Sequence, residues 1–348
     1  MKKLIDDKTT YRKLLQSLPA SLAAIVFVIY LHSFAPLTPD RQLRAAALVE
    51  SEQYVEITAD GRTVAWCGGI GADGLPRRMS LKADSTVVNR TYANGLWVNK
   101  YPFAPSCRGL LVIACGDGSD DGRIATADGN ARSVIAKAAS LTAERVKHMD
   151  EKREEADYYM RIHNVNDDGY NVVAEYSARL KAERDDAARL LTVLKSLQEK
   201  KDIGFRLVRR YTLLYSDTSG TVRRTACRRL TPGGDKPFAL LQTVDRRRPD
   251  GAAAVYLHQW LTPHPDAGDS IYVTSIPGCK AYGFSPSAAA AATFGGTVGS
   301  GLSHDVPPIL APDGCAVYTR GGLLIGISSG GRVYGPSYFG YALKHLLE

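Results

Sequence analysis

ILAPDGCAVYTRGGLLIGISS, residues Ile309 to Ser329, is the stretch that decides the fold. Ile309 to Gly314 reads as a tight polar turn, Ala316 to Tyr318 as a short strand, and Leu323 to Ile327 as a second apolar strand. Between them stands Gly321-Gly322. Glycine accepts the positive φ that a two-residue hairpin turn requires, so two apolar runs flanking a Gly-Gly pair predict a β-hairpin.

Outward from this hairpin, the same signals recur. Alternation begins at Tyr54-Val-Glu-Ile-Thr and returns at Arg62-Thr-Val-Ala-Trp after Asp60-Gly61. Met79 to Asn89, Leu96 to Lys100 and Leu110 to Ala114 read as further strands. Strands resume at Phe205: Tyr211 to Tyr215, a turn at Asp217 to Gly220, then Thr221 to Arg229, with Phe238 to Val244 following. The middle of the chain differs. Ala131 to His163 has no Pro or Gly and is rich in Ala, Glu, Lys and Arg, which predicts a long helix. After a break at Asn164 to Gly169, a second helix runs from about Asn171 to Lys201. Its apolar residues Val173, Tyr176, Leu180, Ala187, Leu190, Leu194 and Leu197 step by threes, fours and sevens, a coiled-coil spacing. Two such helices joined by a short loop predict an antiparallel hairpin.

With 348 residues there is room for a double-barrel domain and an extra module. Charge is balanced enough to exclude global disorder. The formal net charge of +8 comes partly from Arg209-Arg210, Arg223-Arg224, Arg228-Arg229 and Arg246-Arg247-Arg248. No nucleic-acid recognition motif accompanies these clusters, so they read as a solvated basic face and no nucleic-acid partner is expected. Lys2, Lys3, Lys8, Arg12 and Lys13 precede Leu18 to Pro36, a run without formal charge. That run is just long enough to span a bilayer core of about 30 Å as a helix. The basic flank predicts a single-pass signal-anchor with a cytoplasmic N-terminus and the bulk translocated; a cleaved signal peptide is the rival. The six cysteines fit an oxidising compartment, with pairing not readable, and no Cys/His spacing suits zinc.

Taken in order, the strand segments resemble trypsin-like serine peptidases, most closely the HtrA-like branch. In that family a Gly-Asn-Ser-Gly-Gly-Pro turn precedes a strand, a turn and a second strand reading like LIGI. Gly95-Leu-Trp-Val-Asn-Lys-Tyr101 resembles the strand that runs into Thr-Asn-x-His-Val-Val. Phe238 to Val244 resembles the segment in which an aspartate precedes Leu-Ala-Leu-Leu. Gly268 to Gly278, Thr293 to Gly299 and Tyr338 to Lys344 resemble strands of the second barrel and the closing strand. The resemblance spans about residues 52–103 and 205–348. It implies a mainly β fold: a chymotrypsin/trypsin-like double β-barrel with an inserted long α-helical hairpin and an N-terminal transmembrane helix. The expected division is 1–37 cytoplasmic stub and anchor, 38–51 linker, 52–103 first barrel, 104–203 insertion, 204–248 first barrel resumed, and 249–348 second barrel with a C-terminal helix.

Carried over position by position, the resemblance puts Tyr101 where the general-base histidine belongs, Pro237 at the orienting aspartate and Asp313 at the nucleophilic serine. A serine peptidase needs a nucleophile, a base and a group that orients the base. Tyr101 is a poor base, because a neutral phenol titrates near pH 10. Pro237 has no side-chain acceptor. Asp313 is a weak nucleophile whose charge sits beside the N–H groups that would receive an oxyanion. Rescue by Cys315 is out of register by two residues, and Asp235 stands two before Pro237. Two Asp/Gly loops echo the EF-hand pattern: Asp117, Ser119, Asp121 and Asp128, and Asn164, Asn166, Asp168 and Glu175. Both depart from it, and no cofactor is expected. The resulting expectation is a pseudopeptidase in the bacterial inner membrane with its bulk in the periplasm, binding an unidentified protein partner. The alternatives are an active endopeptidase with a rearranged site, and an envelope-complex subunit that forms homo-oligomers through the hairpin.

Overall fold

A computed structural model of the chain describes residues 22–25, 27–28, 36–99, 108–114, 119–216, 221–230, 238–257, 262–281 and 283–339. In chain order the elements are α1 (Pro39–Ala45), β1 (Ala46–Ala59), β2 (Arg62–Cys67), β3 (Gly69–Ile70), β4 (Pro76–Arg77), β5 (Asn89–Asn99) and β6 (Leu110–Ala114). Then come three helices, α2 (Ser119–Gly129), α3 (Ala131–Ile162) and α4 (Tyr170–Gln198). β7 (Ile203–Ser216), β8 (Val222–Arg229), β9 (Phe238–Thr243), β10 (Val255–Tyr256), β11 (Ser270–Ser275) and β12 (Ala292–Thr297) follow. The last elements are β13 (Ala316–Thr319), β14 (Leu324–Ser329), β15 (Arg332–Tyr334) and α5 (Pro336–Phe339). The chain divides into two compact units: Met1–Glu50, Tyr92–Asp117 and Tyr211–Glu348 form one, and Ser51–Thr91 and Gly118–Arg210 the other.

The first unit is mainly β. Its strands pair in the order β10-β5-β6-β9-β8-β7-β1, and β1 pairs also with β5. Six strands, β1, β5, β6, β9, β8 and β7, therefore close on themselves as a barrel, which removes open sheet edges. Inward-facing Val49, Trp97, Leu111, Ile113, Leu213 and Leu241 fill it. A second sheet runs β12-β11-β13-β14-β15. Bridges from Val298 to His304 and from Ser303 to Arg332 let residues 303–304 link its two edges. Ile271, Val273, Val298, Cys315, Val317 and Ile325 fill this second core. Period-2 alternation explains the rest of the packing: residues next to these point outward. Leu96, Val98, Leu110, Val112 and Leu240 of the first barrel meet Ala316, Tyr318, Leu324 and Ile327 of the second in one shared layer.

In the second unit the hairpin β1–β2 turns at Asp60-Gly61, both at positive φ. One face, with Val55, Ile57, Ala65 and Cys67, is buried against Ile124, Ile135, Leu190, Leu194 and Leu197 of the helices. Helices α3 and α4 pack antiparallel: the start of α3 (Val134, Ile135, Ala138) lies with the end of α4, and Asp157 of α3 meets Ser177 of α4. At about 1.5 Å per residue, the 32 residues of α3 extend about 48 Å.

Several sequence expectations are corrected here. Residues 38–51 form α1 and the first part of β1 rather than a linker, because Ala47 and Val49 fill the barrel. Residues 51–91 belong with the helices, not the barrel, because the β1–β2 hairpin buries its apolar face on them. Met79 to Asn89 is not a strand before Asn89; Asp84 accepts hydrogen bonds from Thr86 and closes a turn there. The Asp/Gly-rich stretch 119–129 is helical, because Ile124 and Ala127, three apart, both bury in the helical core. Among the described residues no helix is long and apolar enough to cross a membrane, and residues 1–21, 26 and 29–35 of the expected anchor region lie outside them.

Tyr318 lies in the layer shared by the barrels, fully buried, and its hydroxyl has no hydrogen-bond partner among the described residues. An unpaired buried hydroxyl costs free energy. Tyr318→Phe is therefore expected to stabilise the protein by about 1 kcal/mol, read as a raised urea midpoint at unchanged slope. A lowered midpoint would mean that the hydroxyl is bonded after all.

Candidate functional site

The turn before β13 is built from backbone outward. Leu310 and Ala311 N–H groups donate to the Pro307 carbonyl, and Gly314 N–H donates to Ser328 O at 2.8 Å. Ser328 N–H returns the bond to Cys315 O at 2.9 Å. Gly314 has φ +92°, and a Cβ there would collide with the Asn94 carbonyl, so only glycine fits. Asn94 itself is 1% exposed and holds the second barrel from the first. Its Nδ2 donates to Ile276 O at 3.2 Å, and its Oδ1 accepts from Ile276 N–H at 2.6 Å.

Asp313 sits on this turn with both carboxylate oxygens engaged. Oδ1 accepts from Gly330 N–H at 2.6 Å, and Oδ2 accepts from Lys280 Nζ at 2.5 Å. Burial by itself would raise its pKa. The Lys280 and Gly330 hydrogen bonds and the ammonium charge outweigh burial and hold the carboxyl below the usual carboxylate range. Gly330-Gly331, both at positive φ, form the tight turn between β14 and β15. The carboxylate thus ties the turn at 309–314 to that hairpin and to residue 280, and it is an ionised acceptor rather than a nucleophile. The resemblance places this charge beside the N–H groups of its own turn; its hydrogen bonds run instead to Gly330 and Lys280.

Cys315 is 1% exposed inside the second barrel, and burial pushes its thiol up to about 12 despite a hydrogen bond with Ser328. Thiolate is the reactive form, so this thiol is inert near neutral pH. Ser328 is fully buried and lies 2.7 Å from His304 Nε2. Burial holds His304 below the usual histidine range, against the opposing charge of Asp305. A Ser–His pair therefore exists, but its hydroxyl is closed to a substrate and serves as a link between His304 and the turn.

Tyr101, Pro237, Asp235 and Asp117 lie outside the described residues, as do His258, Cys107 and Cys115. Cys67, Cys227, Cys279 and Cys315 are free thiols. The first of the two Asp/Gly stretches is helix rather than loop from residue 119 onward. Ser119, Asp121 and Asp128 fall on α2, and Asp121 and Asp128, seven residues apart, are separated by about 10 Å along the axis. Asp121 binds Arg209 at 3.0 Å and Asp128 accepts from Phe205 N–H at 2.7 Å. In the second loop, Asp167 accepts from Asn164 N–H, closing the turn, and Glu175 lies exposed on α4. No group of metal-ligating side chains occurs among the described residues. The basic clusters are partly structural as well: Arg224 pairs with the buried Glu50 at 2.5 Å, and Arg210 lies over the Tyr54 ring. Asn94, Lys280 and His304 were not singled out from the sequence. Gly330-Gly331 was not singled out either, although it carries the same Gly-Gly hairpin signal as Gly321-Gly322.

No family model matches the chain, and no curated protein matches it. Among solved structures it is similar to the MamO protease domain from Magnetospirillum magneticum in its apo form, at 14% identity over 39% of this chain and 75% of that one, with a TM-score of 0.27. It is also similar to Deg5, at 11% identity over 88% of this chain and 76% of that one, with a TM-score of 0.25.

Two pH windows follow. The depressed Asp313 stabilises the fold above its unfolded pKa near 4, and that contribution is lost as pH falls through its lower folded value. Asp313→Ala is expected to cost about 1 kcal/mol at pH 7, modest because the pair is partly solvated, and that cost should shrink as pH falls below the unfolded pKa near 4. The depressed His304 acts in the neutral range. Its unfolded form takes a proton near pH 6.5 that the folded form resists, so stability falls as pH drops below about 6.5. In His304→Gln that loss between pH 7 and 5 should disappear; an unchanged pH profile in urea titrations would refute the assignment.

Proposed function

We propose that this chain is a catalytically inert relative of the trypsin-like fold that works by binding protein. The observation that carries this reading is Asp313. At the position that the sequence resemblance gives to the nucleophile, it is an ionised carboxylate whose two oxygens are occupied by Gly330 N–H and Lys280. The neighbouring thiol is buried and neutral, which leaves no activated nucleophile on the described part of the turn. The same reading keeps the basic-flanked apolar run 18–36 as a membrane anchor, with the barrels and hairpin on the extracytoplasmic side. The 36–38 segment supports a fixed exit from such an anchor: Leu37 N–H donates to Gly322 O at 2.9 Å, so the chain is pinned to the Gly-Gly turn of the barrel as it leaves that run.

The test is labelling of the detergent-solubilised full chain with a serine-reactive fluorophosphonate and a thiol-reactive probe, alongside casein turnover. The expected result is no stoichiometric labelling of Cys315 or of any single serine, and no turnover. Turnover abolished together with labelling of one residue would make the protein an endopeptidase.

A further inference from the structure

The groove beside the Gly321-Gly322 turn lies where the barrel unit meets the end of the apolar run 18–36. Pro36, Leu37, Gln42, Tyr272, Arg320 and Gly322 line it, and its volume is about 310 Å³. Its backbone is locked. Leu37 N–H donates to Gly322 O at 2.9 Å, and Leu37 O accepts from Gln42 Nε2 at 2.9 Å. Gly322 has φ +85°, and a Cβ there would fall 2.3 Å from the Leu37 carbonyl oxygen, so this close approach requires glycine. Both backbone groups of Leu37 are therefore engaged in holding residue 37 to the barrel.

That attachment leaves no slack. The run without formal charge ends at Pro36, and one residue of chain reaches at most about 3.6 Å. The run is also uncovered. Leu22, Ile25, Phe27 and Val28 lie on its described helical residues, and each is more than half exposed. Large apolar side chains left in water are unfavourable by about 25 cal/mol per Å², and a bilayer is the environment that covers such a run. A span that ends at residue 36 sets the Gly321-Gly322 turn at the depth of the headgroups, a layer about 6 Å thick outside the hydrocarbon core.

The side chains around the turn suit that depth. Tyr272 and Leu323 are each 39% exposed. A tyrosine, with an apolar body and a polar tip, favours the boundary between hydrocarbon and water. Arg320 is exposed and has no ion pair among the described residues, and a guanidinium offers phosphate oxygens paired N–H donors. The tether, and not the charge, identifies what covers this face.

We infer that the face around residues 36–42, 272 and 320–323 is seated on the membrane surface and that its groove takes the phosphate headgroup of an anionic phospholipid. This seating rests on the anchor reading of residues 18–36 and adds which face of the barrel unit the bilayer covers.

The full chain is reconstituted in phosphatidylcholine nanodiscs with rising mole fractions of phosphatidylglycerol that carries a nitroxide high on its acyl chain. The substitutions Leu323→Trp, Tyr272→Trp and Ile309→Trp are made singly, and the added emission is read above that of the three native tryptophans. Ile309 is 62% exposed and precedes β13, whereas the Gly321-Gly322 turn follows it. Saturable quenching is expected at positions 323 and 272 and not at 309. In the Leu323→Trp chain, Arg320→Gln should raise the mole fraction for half-quenching about fivefold, the loss of one cation at an anionic surface. Arg320 is exposed, so circular dichroism should be unchanged. Carbonate extraction reads the anchor separately. Release of the chain from membranes at high pH overturns the anchor and the seating together. Retention overturns the seating alone if positions 323 and 272 are not quenched, if all three positions are quenched equally, or if Arg320→Gln leaves half-quenching unmoved.

Discussion

The amide of Asn94 is the constraint on which the candidate site depends. It donates to one backbone group of Ile276 and accepts from the other, pairing a β5 side chain with the second barrel as a neighbouring strand would. Both bonds are buried, so removing the amide leaves an N–H and a C=O without partners, a cost of about 3 kcal/mol. Position 94 also sets the approach of Gly314, because the Asn94 carbonyl occupies the space a Cβ would need. The segment held by Asn94 leads within four residues to Lys280, the cation that reaches Asp313. One residue therefore fixes the spacing between the barrels and the reach of residue 280 through its side chain, and the identity of residue 314 through its backbone carbonyl.

Given that spacing, Asp313 does what a serine there would not. A hydroxyl forms weaker hydrogen bonds and carries no charge. A carboxylate takes one charge-assisted bond from a backbone N–H and a second from an ammonium. Each bond holds a different segment, so the turn, the β14–β15 hairpin and the loop at residue 280 become mutually fixed. Behind it the chain His304–Ser328–Cys315 is polar but closed to solvent at its centre, where desolvation keeps the thiol protonated and the imidazole neutral. The charge in this region is thereby confined to the outer turn, where the pair Asp313–Lys280 is still half wetted and its desolvation cost is small.

The sequence made legible what depends on period and on turn chemistry. The Gly321-Gly322 hairpin, the strands at 211–216 and 238–243, and the two long helices all announced themselves, because each pattern is local and strong. Residues 119–129 did not. Three aspartates and two glycines in the stretch argue against helix, and only the burial of Ile124 and Ala127 against partners far away in sequence reverses that preference. The long β1 was half seen for a related reason. Its alternation is clear from Tyr54, but Ala46 to Glu50 is Ala-rich and includes a buried glutamate, whose partner Arg224 lies 174 residues on. Asn94, Lys280 and His304 were illegible in principle: each acts through a long-range contact, and no spacing rule marks a single Asn, Lys or His for such a role.

The two units solve the problem of surface charge differently. In the barrel unit, arginines of the basic clusters are drawn into structure: Arg224 compensates the buried Glu50, and Arg228 grips Gln242, which in turn donates to Arg108 O. On the hairpin, Lys147, Arg153, Arg184 and Arg189 meet carboxylates, but Arg145, Lys152, Arg161, Arg179, Lys181 and Lys195 have no ion pair among the described residues. Exposed pairs add little net energy, so the two helices are held by their apolar seam, Met149 against Leu180 and Ala187 and Ile135 against Leu190, Leu194 and Leu197, and not by charge matching.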